Sequence, residues 1–237
     1  MQALTGNNGT RSLASGYCFS KCGEFAFEAA FAVAMVSMTD ADLLLIGVAY
    51  FFRYLPSMVF SPLGGWLADN ADKRRTLFVV EAGKGLLALA FFASFSVYTP
   101  ILPVVVGLAM VMTALECLYV PSFRAYFPEL VEKNKLASVN SGVQVIEDAA
   151  SIIGPLAFSA CVVLLSREAT FLFFSLCLVL SALSIATLKP VRQGERQAFD
   201  GGAMVRDAAR SVSLLRNSNA PLFAVIGCTT ICALFAT

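Results

Sequence analysis

Long apolar runs alternate with short polar stretches along this chain, and each run is about as long as a membrane-spanning helix. The pattern predicts six helices, over residues 17–38, 43–63, 76–97, 101–120, 137–165 and 170–188. About 20 apolar residues in a helix cover the ~30 Å hydrocarbon core of a bilayer. A further apolar run, 221–236, starts a seventh helix. We therefore predict an all-α, polytopic membrane protein: a six-transmembrane-helix bundle plus the start of a seventh helix.

The longest polar stretch separates the sixth run from the seventh. It divides the chain into a predicted six-helix bundle (1–188), a cytoplasmic linker (189–219) and the start of helix 7 (220–237). Within the linker, the apolar residues of AMVRDAARSVSLLR recur near helical spacing. Two interpretations stay open for this segment: an amphipathic helix on the membrane surface, or a solvated connector.

Composition excludes several classes of protein. The chain is 58% hydrophobic and 14% charged, whereas soluble domains carry about 25% charged residues. It has no histidine, which excludes Ser-His-Asp triads and His-ligated metals. Its seven cysteines lack CxxC spacing and are interpreted as small buried apolar residues rather than a metal or redox site. We predict no metal, no cofactor and no enzymatic activity.

Basic residues between the helices fall almost entirely on one side. Twelve Lys and Arg follow helices 2, 4 and 6, and one, Arg167, lies on the other side. Cytoplasmic loops of membrane proteins carry an excess of Lys and Arg. We therefore expect a multi-pass protein of the cytoplasmic (inner) membrane, with its N-terminus in the cytoplasm.

A dense charged segment, GGWLADNADKRR (64–75), follows the second apolar run. Gly64 and Gly65 favour close approach of another helix, because small residues let helix backbones come together in membranes. Asp69 lies one turn beyond Gly65, where we expect it beside the positive end of a neighbouring helix or its basic loop. An acid at such a contact can stabilise one closed state of the protein. We interpret Gly65, Asp69, Lys73 and Arg74 as a conformational switch.

This segment resembles the loop between helices 2 and 3 of the major facilitator superfamily, G-x-L-A-D-x-x-x-[KR]-R. Asp72 followed by two basic residues is similar to the drug- and siderophore-export branch, which contains macrolide and enterobactin exporters. A second stretch, PSFRAYFPELVEKNKLASVNS (121–141) followed by Gly154 and Pro155, is similar to the helix 4 to helix 5 region of that branch. The resemblance implies an antiporter motif of small residues on helix 5. It covers nearly the whole chain, as the N-terminal half of such a transporter.

The resemblance implies half of a twelve-helix secondary transporter with its substrate site near the middle of the membrane. The implied activity is proton-coupled efflux of a small amphipathic compound, as in multidrug antiporters. The expected partners are this small-molecule substrate, protons, the lipid bilayer, and the missing C-terminal half or a second copy; nucleic acid is not expected. We expect that the chain alone does not catalyse coupled transport. The alternative is a non-transporting truncated half that needs a second six-helix half or acts as a partner-binding membrane fragment.

Ionisable side chains inside the predicted spans are the candidates for proton or substrate sites. A charge at mid-bilayer costs about 2.5–3.5 kcal/mol on insertion scales, so such residues usually face a cavity or a partner. Lys21, Glu24 and Glu28 share one face of helix 1, and Arg53 is predicted to pair with the acids of that face. The candidate proton or substrate residues are Glu24, Glu28, Arg53, Glu116, Glu147 and Asp148.

A purely structural role for several of these groups stays open. Lys21 with Glu24, and Glu81 with Lys84, are spaced as ion pairs within one helix. Glu147 and Asp148 are adjacent, so they point about 100° apart on a helix. At most one of these two can line the centre of a cavity.

Overall fold

The computed structural model describes residues 8–96, 101–131, 136–166 and 168–188. These residues form six helices: α1 (Asn8–Met38), α2 (Leu43–Asn70), α3 (Lys73–Ser96), α4 (Leu102–Leu130), α5 (Leu136–Leu164) and α6 (Ala169–Ala186). Within these ranges the fold is all-α, as predicted. The predicted linker (189–219) and helix 7 (220–237) lie outside the described residues.

Three helices are longer than their apolar runs predict. α1 begins at Asn8, α2 continues to Asn70 and α4 continues to Leu130. The added residues include glycines, prolines and charged side chains such as Arg11, Asp69 and Arg124. A hydropathy pattern places such residues in loops although helical hydrogen bonding continues through them. The segment 64–70 is therefore helical, and only Ala71 and Asp72 separate α2 from α3.

Acidic residues cap the helices that follow the short turns. Asp42 accepts hydrogen bonds from the backbone N–H of Leu44 (2.8 Å) and Leu45 (3.2 Å) at the start of α2. Asp72 accepts from Arg75 N–H (3.1 Å) at the start of α3. Each cap satisfies amide groups that the first helical turn leaves unpaired, which stabilises the helix start directly after each short turn.

Five helices, α2 to α6, are long and apolar enough to cross a membrane. α1 has 31 residues, about 46 Å at 1.5 Å per residue, but Lys21, Glu24 and Glu28 interrupt its middle. These charges set α1 apart from the five helices that have the length and composition of a membrane span. The described residues thus form the helical bundle of a multi-pass membrane protein.

Two buried hydrophobic clusters stack along the bundle. α1 packs against α5 and α6, α2 against α4, and α3 against α4 and α6. The first cluster includes Leu13, Leu77 and Phe123, and it lies at the end of the bundle that carries the α2–α3 turn, called the basic end below. The second cluster includes Phe27 and Phe91 and lies toward the opposite end. By contrast, α2 and α5 expose most of their apolar side chains.

Candidate functional site

A charged layer lies between the two hydrophobic clusters, near the middle of three helices. It consists of Lys21 and Glu24 of α1, Glu81 and Lys84 of α3, and Glu116 of α4. Lys21 Nζ lies 2.7 Å from Glu24 Oε2 and 3.0 Å from Glu116 Oε1. Lys84 Nζ lies 2.8 Å from Glu116 Oε2 and 3.6 Å from Glu81 Oε1. Glu116 therefore joins both lysines and links α1, α3 and α4.

The two pairs predicted within single helices are both present in this layer, but the bridging role of Glu116 was not predicted. With all five groups ionised, three carboxylates face two ammonium groups, which leaves one net negative charge. The side chains of Glu81 and Lys84 are buried, whereas those of Glu24 and Glu116 are 25% and 22% exposed. The arrangement is chemically suited to accept one proton or one cationic group from this exposed side.

Polar neighbours that the sequence reading missed complete the layer. Ser20 Oγ donates a 2.8 Å hydrogen bond to Glu81 Oε1. Lys84 Nζ lies 4.3 Å from the centroid of the Tyr119 ring. Within the described residues, Glu81 Oε2 and the Tyr119 hydroxyl are buried without a hydrogen-bond partner. A serine and a tyrosine inside apolar runs carry no distinctive sequence signal, because both are common in membrane helices.

A second charged pair lies beyond the layer, away from the basic end. Arg53 Nη1 donates to Glu28 Oε2 at 2.8 Å, and Arg53 Nη2 contacts Glu28 Oε1. The predicted pairing of Arg53 with an acid of α1 is thus confirmed, and Glu28 is the acid. The two parallel contacts form the bidentate geometry that a guanidinium makes with a carboxylate.

Glu147 and Asp148 on α5 diverge as their adjacency predicted. The Tyr17 hydroxyl donates to Glu147, which ties α1 to α5. Asp148 is exposed and accepts a 2.9 Å hydrogen bond from Gln144 Nε2 of its own helix. Glu147 and Tyr17 line a cavity of about 370 Å³ at the basic end, between α1, α4 and α5. Of the two acids, Glu147 is the one that lines this cavity.

Only one of the two glycines before the charged turn is in a tight contact. A Cβ at Gly64 would overlap the Cys117 carbonyl oxygen of α4, so the α2 and α4 backbones touch here. A Cβ at Gly65 would meet nothing within 4 Å among the described residues. The prediction of close approach is right for Gly64 and wrong for Gly65 within this bundle. The reason is rotation along the helix, which turns consecutive residues about 100° apart.

Asp69 does not pair with its own basic loop. Its side chain is exposed, and within the described residues it has no ion-pair or hydrogen-bond partner. Lys73 Nζ instead lies 2.8 Å from Glu129 Oε1 of α4, and Arg74 donates to the Ala186 carbonyl at the end of α6. The expected contact of Asp69 with the basic loop is therefore wrong in this conformation, because both basic side chains reach neighbouring helices.

Gly154 of α5 makes the close helix contact implied for it. A Cβ at Gly154 would come within 2.5 Å of Phe25 Cβ and 2.8 Å of Ala26 N on α1. Pro155 follows inside the same helix and is exposed. The α1–α5 contact therefore depends on the absence of a side chain at residue 154.

Comparison with known proteins agrees with this architecture. A family model described as Major Facilitator Superfamily matches residues 13–237. Macrolide efflux protein A of Streptococcus pyogenes is 23% identical over 189 residues, which cover 77% of this chain and 45% of that protein. The protein of the same name from a serotype M6 strain of S. pyogenes matches to the same extent. The chain thus spans a little under half the length of the curated relatives it matches. No solved structure matches.

The family match covers nearly the entire chain, including all six described helices except the first five residues of α1. The chain belongs to the Major Facilitator Superfamily.

Proposed function

We propose that this chain forms the N-terminal half of a transporter that exports a small amphipathic compound, such as a drug or siderophore, in exchange for protons. The observation that carries the proposal is the charged layer of Lys21, Glu24, Glu81, Lys84 and Glu116 between two hydrophobic clusters. Secondary transporters bind substrate and coupling ions near the bilayer midplane. The family and the efflux function in the relatives' names support the same activity.

The exposed side of the layer supports a binding role over a purely structural one. Ionisable residues inside a membrane protein that face a water-filled cavity mark substrate or ion pathways, whereas purely structural pairs need no access to water. Here the Glu24 and Glu116 side chains keep about a quarter of their surface open, and the layer has one excess carboxylate. A proton or a cationic substrate at Glu24 or Glu116 would neutralise this excess. Competition between a proton and a cationic substrate for this excess carboxylate is a physical basis for exchange.

A second six-helix half would complete the site. α2 and α5 expose long apolar faces, with Met58 78% and Val163 81% exposed. A second six-helix half would cover these faces. The half would come from further chain or from a second copy.

We propose that the turn after α2 contacts that second half in one state. Gly65 has open space beside it, and Asp69 is exposed without a partner in the described bundle. A helix end from the second half would find room at Gly65 and a carboxylate at Asp69. The basic end, which holds Lys73, Arg74 and Arg75, would face the cytoplasm of a cell with this protein in its inner membrane.

Everted membrane vesicles that carry the product of the whole reading frame containing this chain provide the test. We expect energised vesicles to accumulate a fluorescent amphipathic cation and to release protons as they do so. Glu24→Gln and Glu116→Gln should abolish this exchange. The matched control is Glu168→Gln, since Glu168 lies at the start of α6 and its side chain makes no cap hydrogen bond.

The outcomes separate the parts of the proposal. Accumulation that survives collapse of the proton gradient would contradict proton coupling. Full exchange by both Glu24→Gln and Glu116→Gln would remove the charged layer from the mechanism. Absence of accumulation for every amphipathic compound tested, with the protein present in the membrane, would overturn the export proposal.

A further inference from the structure

The guanidinium of Arg53 is enclosed by aromatic rings as well as by Glu28. Its Cζ lies 4.4 Å from the ring centroid of Phe31, 5.2 Å from Tyr54, 5.7 Å from Phe27 and 5.8 Å from Tyr50. The side chain of Arg53 is only 4% exposed. The rings and Glu28 come from α1 and α2, so two helices build one enclosure. We call Glu28 and the four rings the cation cage.

The cage has the chemistry of a receptor for organic cations. Aromatic faces within about 6 Å attract a cation through the ring quadrupole, most strongly where water is excluded. Glu28 adds a carboxylate with two acceptor oxygens in bidentate contact. Arg53 Nε is nevertheless buried without a hydrogen-bond partner among the described residues. The cage therefore satisfies the two Nη groups of the guanidinium and leaves its Nε–H without a partner.

The cage is open on one side. The Glu28 side chain is 35% exposed, and Tyr54 is 49% exposed. Tyr50 and Tyr54 also line an apolar groove of about 410 Å³ along α2, together with Phe51, Leu55 and Met58. An elongated ligand could place a cationic group at Glu28 and its apolar body in this groove.

We propose that the cation cage binds the cationic group of an amphipathic substrate, and that Arg53 occupies it as a resident ligand in this conformation. The ligand class is an organic cation with an apolar body. Release of Arg53 from Glu28 accompanies binding, so the carboxylate is paired in both states. The identification of this ligand as a transported substrate rests on the proposed function; the binding site itself does not.

Chemical rescue of Arg53→Ala in the detergent-solubilised 237-residue chain tests the proposal. Ethylguanidinium reproduces the atoms that this substitution removes beyond Cβ, and ethylurea is its neutral counterpart. We expect ethylguanidinium, but not ethylurea, to bind the variant and to raise its thermal unfolding midpoint. Its Kd should be at least about tenfold lower than for Arg53→Ala/Glu28→Gln, because ionic hydrogen bonds and cation–π contacts are lost together in the double variant.

Two further variants complete the design. Arg53→Ala/Tyr54→Leu should bind ethylguanidinium more weakly than Arg53→Ala, since one wall of the cage is lost. Arg124→Ala is the matched control, because Arg124 is an exposed arginine of α4 outside the cage. Ethylguanidinium should not change its unfolding midpoint.

Equal binding of ethylurea and ethylguanidinium would overturn the proposal, and so would binding that persists without Glu28. If Arg53→Ala yields no folded chain with or without ethylguanidinium, Arg53→Met replaces it in the test. Methionine keeps an apolar side chain at this position and leaves Glu28 unpaired. This variant should then bind tetraphenylphosphonium at least about tenfold more tightly than Arg53→Met/Glu28→Gln. Equal affinities of these two variants would overturn the proposal.

These measurements are equilibrium binding and need no transport. Cation binding without any export in vesicles would leave the cage standing and contradict the proposed function. Proton-coupled export without cation binding at the cage would contradict the cage proposal and leave the proposed function standing.

Discussion

Removing the ammonium group of Lys84 should destabilise the bundle far more than removing a comparable surface charge. Lys84→Met keeps the apolar stem and deletes the charge. Glu116 would keep Lys21 at 3.0 Å. Glu81, whose side chain is 0% exposed, would lose its only cationic neighbour within the described residues and keep the Ser20 hydroxyl. A carboxylate would thus remain buried without a compensating charge.

The magnitude follows from the burial of the group left behind. Breaking a buried ion pair by removing one partner costs about 3–5 kcal/mol, because the remaining charge stays desolvated. We expect Lys84→Met to lower the free energy of unfolding by this amount. Lys73→Met is the matched control, since Lys73 pairs with Glu129 at 2.8 Å, the length of the Lys84–Glu116 pair, with side chains 16% and 35% exposed. Its cost should be about 0.2–1 kcal/mol.

The assay is unfolding of the detergent-solubilised chain by increasing mole fraction of dodecyl sulfate, followed by loss of helical circular dichroism. The double variant Lys84→Met/Glu81→Gln removes the uncompensated carboxylate and should recover at least half of the lost stability. The reasoning is refuted if Lys84→Met costs no more than Lys73→Met. It is equally refuted if the double variant is no more stable than Lys84→Met alone.

Three further predictions concern the segment at the end of α2. Gly64→Ala should lower the free energy of unfolding by about 1–3 kcal/mol or more, because a Cβ overlaps the α4 backbone. Gly65→Ala should be neutral or stabilising by up to about 1 kcal/mol. Equal effects of the two substitutions in the same unfolding assay would contradict the helix contact. Asp69→Asn should cut vesicle transport while membrane expression and unfolding stay as in the wild type, and unchanged transport would leave the segment no role beyond topology. A cysteine at Asn70, with the native cysteines replaced, should not react with an impermeant thiol reagent in intact cells, whereas one at Asp40 should react. Labelling at Asn70 from outside would contradict the predicted orientation.

The sequence by itself determined the class of protein and most of the secondary structure. Six apolar runs of bilayer length predict six helices because a span must satisfy its backbone hydrogen bonds internally. The family resemblance rested on two stretches, 64–75 and 121–141 with Gly154 and Pro155, and the family match confirms it. The pairs Lys21–Glu24 and Glu81–Lys84 were also predictable, because a three-residue spacing places two side chains on one helix face whatever the surroundings.

Helix ends at the basic end were not predictable from hydropathy. The pattern of apolar residues reports where lipid begins, whereas a helix ends where its hydrogen bonding ends. Asn70 and Leu130 lie several residues beyond the apolar runs, and charged side chains at this end reach neighbouring helices, as Glu129 reaches Lys73 and Arg74 reaches the Ala186 carbonyl. Only the packed bundle shows those neighbours.

The candidate site was likewise predictable only in part from the local sequence. The chain suggested an acid of α1 as the partner of Arg53, but only the packing of α2 beside α1 selected Glu28 and surrounded the guanidinium with four rings. Nothing local assigned Glu116 to both lysines or Tyr17 to Glu147. Contacts between helices depend on the rotation and depth of each helix, and these are set by close packing at positions such as Gly64 and Gly154. The sequence therefore determined which charges lie within the membrane, and the tertiary structure decided which of them meet.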